Sequence, residues 1–133
     1  RTSIMVRNIP NKMQPWELKR LLDAVIPGRY DFMYLRLDFR NQCNVGYAFI
    51  NVVESTDLVP LSAFLTGVRW GILGSNKVPK LCFGTIQGLP ALTSHFQNSS
   101  VMAQWAPLRA HTYYTCLDQP GKVPGREAPF PEP

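Results

Sequence analysis

Six short apolar segments constrain this chain more than anything else in it, because their periods alternate in a fixed order. Ser3 to Ile9 (SIMVRNI) repeats every two residues, which predicts a strand that Pro10-Asn11 stops. Pro15 then stands where the first turn of a helix tolerates it, and Leu18, Leu21, Leu22 and Val25 recur at helical spacing as far as Pro27-Gly28. Tyr30 to Asp38 (YDFMYLRLD) alternates again, with Met33, Leu35 and Leu37 on one face and Phe32, Tyr34 and Arg36 on the other. A polar loop, Arg40-Asn41-Gln42, leads into Val45 to Val53, a third strand of strong β-propensity. A second helix is expected roughly over Thr56 to Leu65, with Leu58, Leu61 and Leu65 as its apolar stripe, Pro60 in its first turn and Gly67 as its stop. Gly71, Gly74 and Ser75-Asn76 predict turns or a short hairpin over 68–77, and Lys80 to Ile86 makes a fourth strand. Pro90 to Phe96 reads as one more short helix, with Leu89, Leu92 and Phe96 on one side.

The order β-α-β-β-α-β implies an α+β, ferredoxin-like arrangement: a four-stranded antiparallel sheet with two helices on one face and the other face open. With 133 residues, 45% of them hydrophobic, the chain can close one core without disulfides. The organisation expected is a core over 1–87, a C-terminal extension with a short helix over 88–109, and a Pro-rich, mostly disordered tail over 110–133. Charge and proline support that division. Residues 1–110 hold twelve basic and six acidic side chains, whereas 111–133 hold two and three, along with five of the twelve prolines. Absence of an eighteen-residue apolar run argues against a membrane span, and a start at Arg1 without a signal-peptide pattern reads as a piece of a longer intracellular chain. Cys43, Cys82 and Cys116 are odd in number and lack C-x-x-C spacing, so neither a disulfide framework nor a cysteine zinc site is expected, and Cys82 reads as a small core residue. Trp16 and Trp70 read as packing residues, and Trp105 as a hook holding the extension to the domain.

Catalytic chemistry finds no foothold. Asp31 and Asp38 lie seven apart on one strand and point to opposite faces, His95 and His111 lack neighbours at ligand spacing, and Gly71-Ile72-Leu73-Gly74 lacks the Lys-Ser/Thr of a phosphate loop. No enzyme activity, metal or cofactor is therefore expected. The informative run is Val45-Gly46-Tyr47-Ala48-Phe49-Ile50-Asn51-Val52. On a strand, Tyr47, Phe49 and Asn51 face one way while Ala48, Ile50 and Val52 face the helix-covered core. Two rings on an open face, beside excess positive charge, are stacking platforms for single-stranded nucleic acid. Gly46-Tyr47-Ala48-Phe49 resembles the third-strand motif of the RNA recognition motif, and Ile4-Met5-Val6-Arg7-Asn8-Ile9 resembles its first-strand motif, with Met5 where a stacking ring is usual. Arg7 and Arg36 are expected to flank the ring pair, Tyr34 to supply a replacement ring, and Lys12, Arg40 and Lys80 to follow the phosphate backbone. Asn8 is expected to close the turn after the first strand through its side chain.

A narrower resemblance rests on Arg7-Asn8-Ile9-Pro10-Asn11-Lys12-Met13, on Tyr30 to Phe39, on Cys43 to Asn51 and on Phe96 to Met102. These blocks look like the C-terminal RNA recognition motif of the Mei-two-like proteins, meiosis-regulating RNA-binding proteins of fungi and plants. That resemblance implies single-stranded RNA binding in a protein that promotes or regulates meiosis, with residence in nucleus and cytoplasm. The site residues expected on the RNA are Met5, Arg7, Lys12, Tyr34, Arg36, Arg40, Tyr47, Phe49, Asn51 and Lys80. The rival reading is a protein-interaction domain whose sheet, or segment 88–109, holds a peptide, motivated by Leu89, Phe96 and Trp105. A monomer without membrane contact is expected in either case, with protein partners as a further possibility.

Overall fold

The computed structural model describes residues 1–38, 40, 43–66 and 77–133. Its elements are β1 (Ser3–Arg7), α1 (Pro15–Val25), β2 (Tyr30–Asp38), β3 (Cys43–Val52), α2 (Leu58–Thr66), β4 (Lys80–Phe83), α3 (Leu89–Phe96), β5 (His111–Tyr113) and β6 (Glu127–Ala128). All six strands form one antiparallel sheet in the order β4-β1-β3-β2-β5-β6. The ferredoxin-like class stands, and β2 has the bounds its alternation predicts. The turns expected over 68–77, the stop at Gly67 and the packing expected of Trp70 fall outside the described residues, which resume at Lys77.

Local chemistry explains where the first elements begin and end. Gln14 and Glu17 cap α1 reciprocally with Pro15 at its first turn, while Leu18 and Leu22 turn inward. Beyond β1, Asn8 takes a left-handed φ of 61°, a conformation asparagine tolerates, and its amide donates to the Val78 carbonyl. That turn ends β1 at Arg7 rather than Ile9. Leu61 and Leu65 of α2 complete the main core with Ile4, Val6, Leu35, Ala48, Ile50 and Val52. Burying each of the leucine, isoleucine and valine side chains in this set stabilises the fold by about 1.5–3 kcal/mol relative to exposure.

The second face of the sheet is not open throughout. α3 lies across it and builds a second core from Phe32, Tyr34, Leu92, Phe96 and Ala110, with Phe49, Ile86 and Phe130 packed against it. A register shift in β2 between Tyr30 and Phe32 makes the double core possible. One extra residue, Asp31, lets Tyr30 enter the main core while Phe32, two positions on, enters the other.

Segment 110–133, expected as a disordered tail, instead extends the sheet. β5 pairs with β2 and β6 pairs with β5. Lys19 fastens the wrap: its ammonium donates to the Gly125 carbonyl at 2.9 Å and to the Tyr30 hydroxyl at 2.8 Å, and sits 4.6 Å from the Tyr113 ring centroid. Cys116 N–H also donates to the Gly28 carbonyl, so the returning chain is held to the end of α1. Gly28 has φ +69°, and a Cβ there would meet Pro124 at 3.0 Å, so only glycine suits the junction. Pro120 and Pro124 stand between β5 and β6 and Pro129, Pro131 and Pro133 follow β6, so none of them costs a ladder bond. Three further expectations are corrected. Cys82 pairs with Met5 on the α3 side of edge strand β4 and is exposed rather than in the core. Trp16 is 63% and Trp105 80% exposed, so neither packs inside and Trp105 is no hook.

Candidate nucleic-acid interface

Strand register decides which side chains share the face that α3 leaves uncovered. Arg7 lies opposite Tyr47 on β3 and Lys80 on β4, giving one row, Lys80–Arg7–Tyr47. The next row is Cys82–Met5–Phe49–Tyr34. Phe83 pairs with Ile4 and so belongs to the opposite, helix-covered side, where Arg1 stacks on it. At the end of the first row a second register shift, between Leu35 and Leu37, sets Arg36 beside Tyr47. Its Nη1 donates to the Tyr47 hydroxyl at 2.7 Å, and its guanidinium carbon is 5.8 Å from the ring centroid. A cation held in that position both polarises the ring and keeps N–H groups for a phosphate oxygen.

The aromatic pair is fixed from below. Tyr47 meets Phe49 edge to face at 5.7 Å, Phe49 approaches Phe96 at 6.1 Å, and Phe96 packs on Phe32 and Tyr34 at 5.6 and 5.2 Å. A file of rings thus runs from the second core to the surface, and its outermost member, Tyr47, is half-buried. Rings oriented this way need little ordering when a base stacks on them. Arg7, Lys12 and Lys80 are exposed, and among the described residues none has a carboxylate partner, which leaves their charge to act outward. Arg40 is exposed beside Asp38, 3.5 Å from its carboxylate.

Two residues expected on the uncovered face are withdrawn from it. Tyr34 is 3% exposed beneath Phe96, and that burial raises its phenol pKa. Asn51, also 3% exposed, accepts from the hydroxyls of Ser3 and Thr2 at 2.6 and 2.8 Å and donates to Asp31 at 2.8 Å. Its amide is committed to tying β1 to β2 across β3. Asp31 itself is held up to about 6, chiefly because burial disfavours its charge, with Asn51 opposing.

Asn44 escaped sequence reasoning, although the blocks Asn8 to Met13 and Cys43 to Asn51 were its signal. Fully buried, it donates to the carbonyls of Pro10 at 2.6 Å and Met13 at 2.9 Å and accepts from Gly46 N–H at 2.8 Å. Asn11 adds reciprocal bonds with the Asn44 backbone. Gly46 at φ +99° passes its carbonyl to Ile9 N–H. These bonds lock the loop after β1 to the start of β3 and so fix Arg7 against Tyr47. Between the β2 end, α3 and the turn that follows lies a cavity of about 610 Å³ reached by Arg36, Arg40, Phe49, His95 and Ser99.

Comparison with known proteins bears on the family and the fold. Residues 1–97 match the family model for RNA recognition motif 2. Protein MEI2-like 4 of Arabidopsis thaliana is 44% identical over 98% of this chain and 14% of its own length. Meiosis protein mei2 of Schizosaccharomyces pombe is 38% identical over the whole chain and 17% of its own length. The chain therefore spans about a sixth or less of these relatives. Among solved structures, the Rna15 domain with bound RNA aligns with a TM-score of 0.56 at 16% identity, covering 70% of this chain and 93% of that one. The Sex-lethal RNA recognition domains of Drosophila melanogaster align at 0.52 and 24% identity, covering 63% and 50%. These two likenesses bear on the fold.

Proposed function

The chain belongs to the RNA recognition motif 2 family, and from that membership we propose that it binds single-stranded RNA along the uncovered row Lys80–Arg7–Tyr47–Arg36. Met5 and the exposed part of Phe49 form the second step of the platform. The observation that carries this reading is the oriented ring of Tyr47 with cations on either side of it and no carboxylate in the row. Stacking supplies grip that every base accepts, and the cations supply attraction to the phosphates. Lys12 and Arg40 guide the strand at the loop end of the sheet. Tyr34 and Asn51 act from inside, by supporting Phe49 and the strand pairing, and do not meet RNA. The relatives' names support meiosis-linked transcripts as the RNA; that the two meet in nucleus and cytoplasm is a further part of the proposal.

Titration of single-stranded RNA pools of about ten nucleotides at several salt concentrations tests the proposal. Log affinity is expected to fall linearly with log salt, by about 0.7 per phosphate neutralised. Tyr47→Ala is expected to cost roughly 1–3 kcal/mol for its stacked base. Affinity indifferent to both salt and Tyr47→Ala contradicts the reading.

A further inference from the structure

A second cavity, of about 390 Å³, opens beyond the end of β2 and shares the walls Leu37 and Asp38 with the cavity beside Arg36 and Phe49. Trp105 forms one side of it, 80% exposed, with Leu37, Pro107 and Leu108 as apolar surface and Gln14 and Gln104 at the polar edge. A large exposed indole costs the free protein apolar contact with water, and nothing in the second core requires it there. Volume and lining match what a planar heteroaromatic group needs: flat apolar contact on its faces and amides at its edge. Arg109 stands at the mouth, its guanidinium donating to the Gln104 carbonyl, and Arg40 lines the adjoining cavity, so cations flank the route from the sheet, while Glu17, which accepts from the Gln14 N–H at 2.9 Å, is the carboxylate on the α1 side. The carboxylate in the shared wall, Asp38, is engaged by Arg40.

We propose that this cavity is a second base-binding site, in which an unstacked nucleobase of the same RNA strand lies on Trp105 after the chain leaves the sheet past Arg36 and Arg40. The proposal rests on RNA binding at the Tyr47 row and extends its path around the β2 end. It makes residues 100–109 part of the recognition surface rather than a spacer.

The test compares random-sequence RNA pools of about four and about ten nucleotides on the full chain, with Trp105→Ala, Trp105→Phe and Tyr47→Ala. The exposure of Trp105 means that its replacement leaves the fold intact, which far-ultraviolet circular dichroism checks. Trp105→Ala is expected to weaken the longer pool about 5- to 150-fold, the range for losing one stacked base, and to leave the shorter pool within about twofold. Trp105→Phe, which keeps a ring, is expected to restore most of the loss. Tyr47→Ala is expected to weaken both pools. If Trp105→Ala leaves the longer pool unchanged while Tyr47→Ala weakens it, the second site is overturned and the sheet reading survives. Equal loss on both pools places Trp105 in the primary site and also overturns the extension. No effect of Tyr47→Ala on either pool removes the sheet reading itself.

Discussion

Replacing Phe96 with alanine separates two views of α3, a fixed part of the fold or a lid over the RNA face. Phe96 is 7% exposed and touches the rings of Phe32, Tyr34 and Phe49. Phe32 and Tyr34 owe their burial to this one helix and its neighbours. Truncating a buried phenylalanine costs about 3–5 kcal/mol, the sum of lost transfer energy and the cavity left behind. A domain of this size has about 5–15 kcal/mol in total, so Phe96→Ala is expected to be folded but marginal. At roughly 4 °C per kcal/mol, its Tm is expected to fall by about 12–20 °C. Urea unfolding followed by circular dichroism measures the change, with an unaltered slope showing that the whole domain still unfolds together. RNA affinity of the folded variant is expected to be unchanged or weaker, because Phe96 supports Phe49 and thereby Tyr47. A midpoint within about 1 kcal/mol of the parent, together with tighter RNA binding, refutes the reasoning and makes α3 a detachable lid.

Other outcomes follow from the same bonds. Asn44→Ala removes three buried hydrogen bonds and strands the Pro10 and Met13 carbonyls, so a loss of about 2–4 kcal/mol is expected in chemical denaturation. RNA binding is expected to weaken as well, as the Arg7–Tyr47 register loosens. Asp31 has a folded pKa raised to about 6 from 3.8. The folded state therefore holds its proton more tightly, and this carboxyl lowers stability progressively as pH rises from about 4 to 6. Asp31→Asn, which can still accept from Asn51, is expected to raise stability at pH 7 by up to about 2–3 kcal/mol and to flatten that part of the pH profile, measured by thermal unfolding across pH 4–8.

What the sequence made legible was what short periods encode. β2 and the facing of Tyr47 and Phe49 follow from alternation over many residues, and α1 from Leu18 and Leu22 behind Pro15. Alternation puts Tyr34 and Asn51 on the correct face, but α3 packs on that face as well. The stripe of Leu89, Leu92 and Phe96 declares that α3 packs on something without saying what. Register shifts at Asp31 and around Gly46 are likewise invisible to a period-two reading, although they decide which core Tyr30 and Phe32 enter and where Arg36 stands. β5 and β6 are three and two residues long, too short to show a period, and the segment between them is anchored at Gly125 by a lysine 106 positions away. Prolines suggested a solvated tail because composition carries no record of such distant bonds. Exposure of Trp16 and Trp105 is hidden for a related reason: a tryptophan's usual preference is burial, and only the fold shows which ones stay exposed.

Nuclear magnetic resonance mapping of the RNA contact surface tests the central claim most directly. Single-stranded RNA is titrated into the labelled chain, and backbone, arginine and methionine-methyl signals are followed together. The account predicts that the largest shifts concentrate on Arg7, Arg36, Tyr47, Lys80 and the Met5 methyl, with small ones across α1 and α2. Shifts concentrated on α1 and α2, with Arg7 and Tyr47 unmoved at saturation, would contradict it.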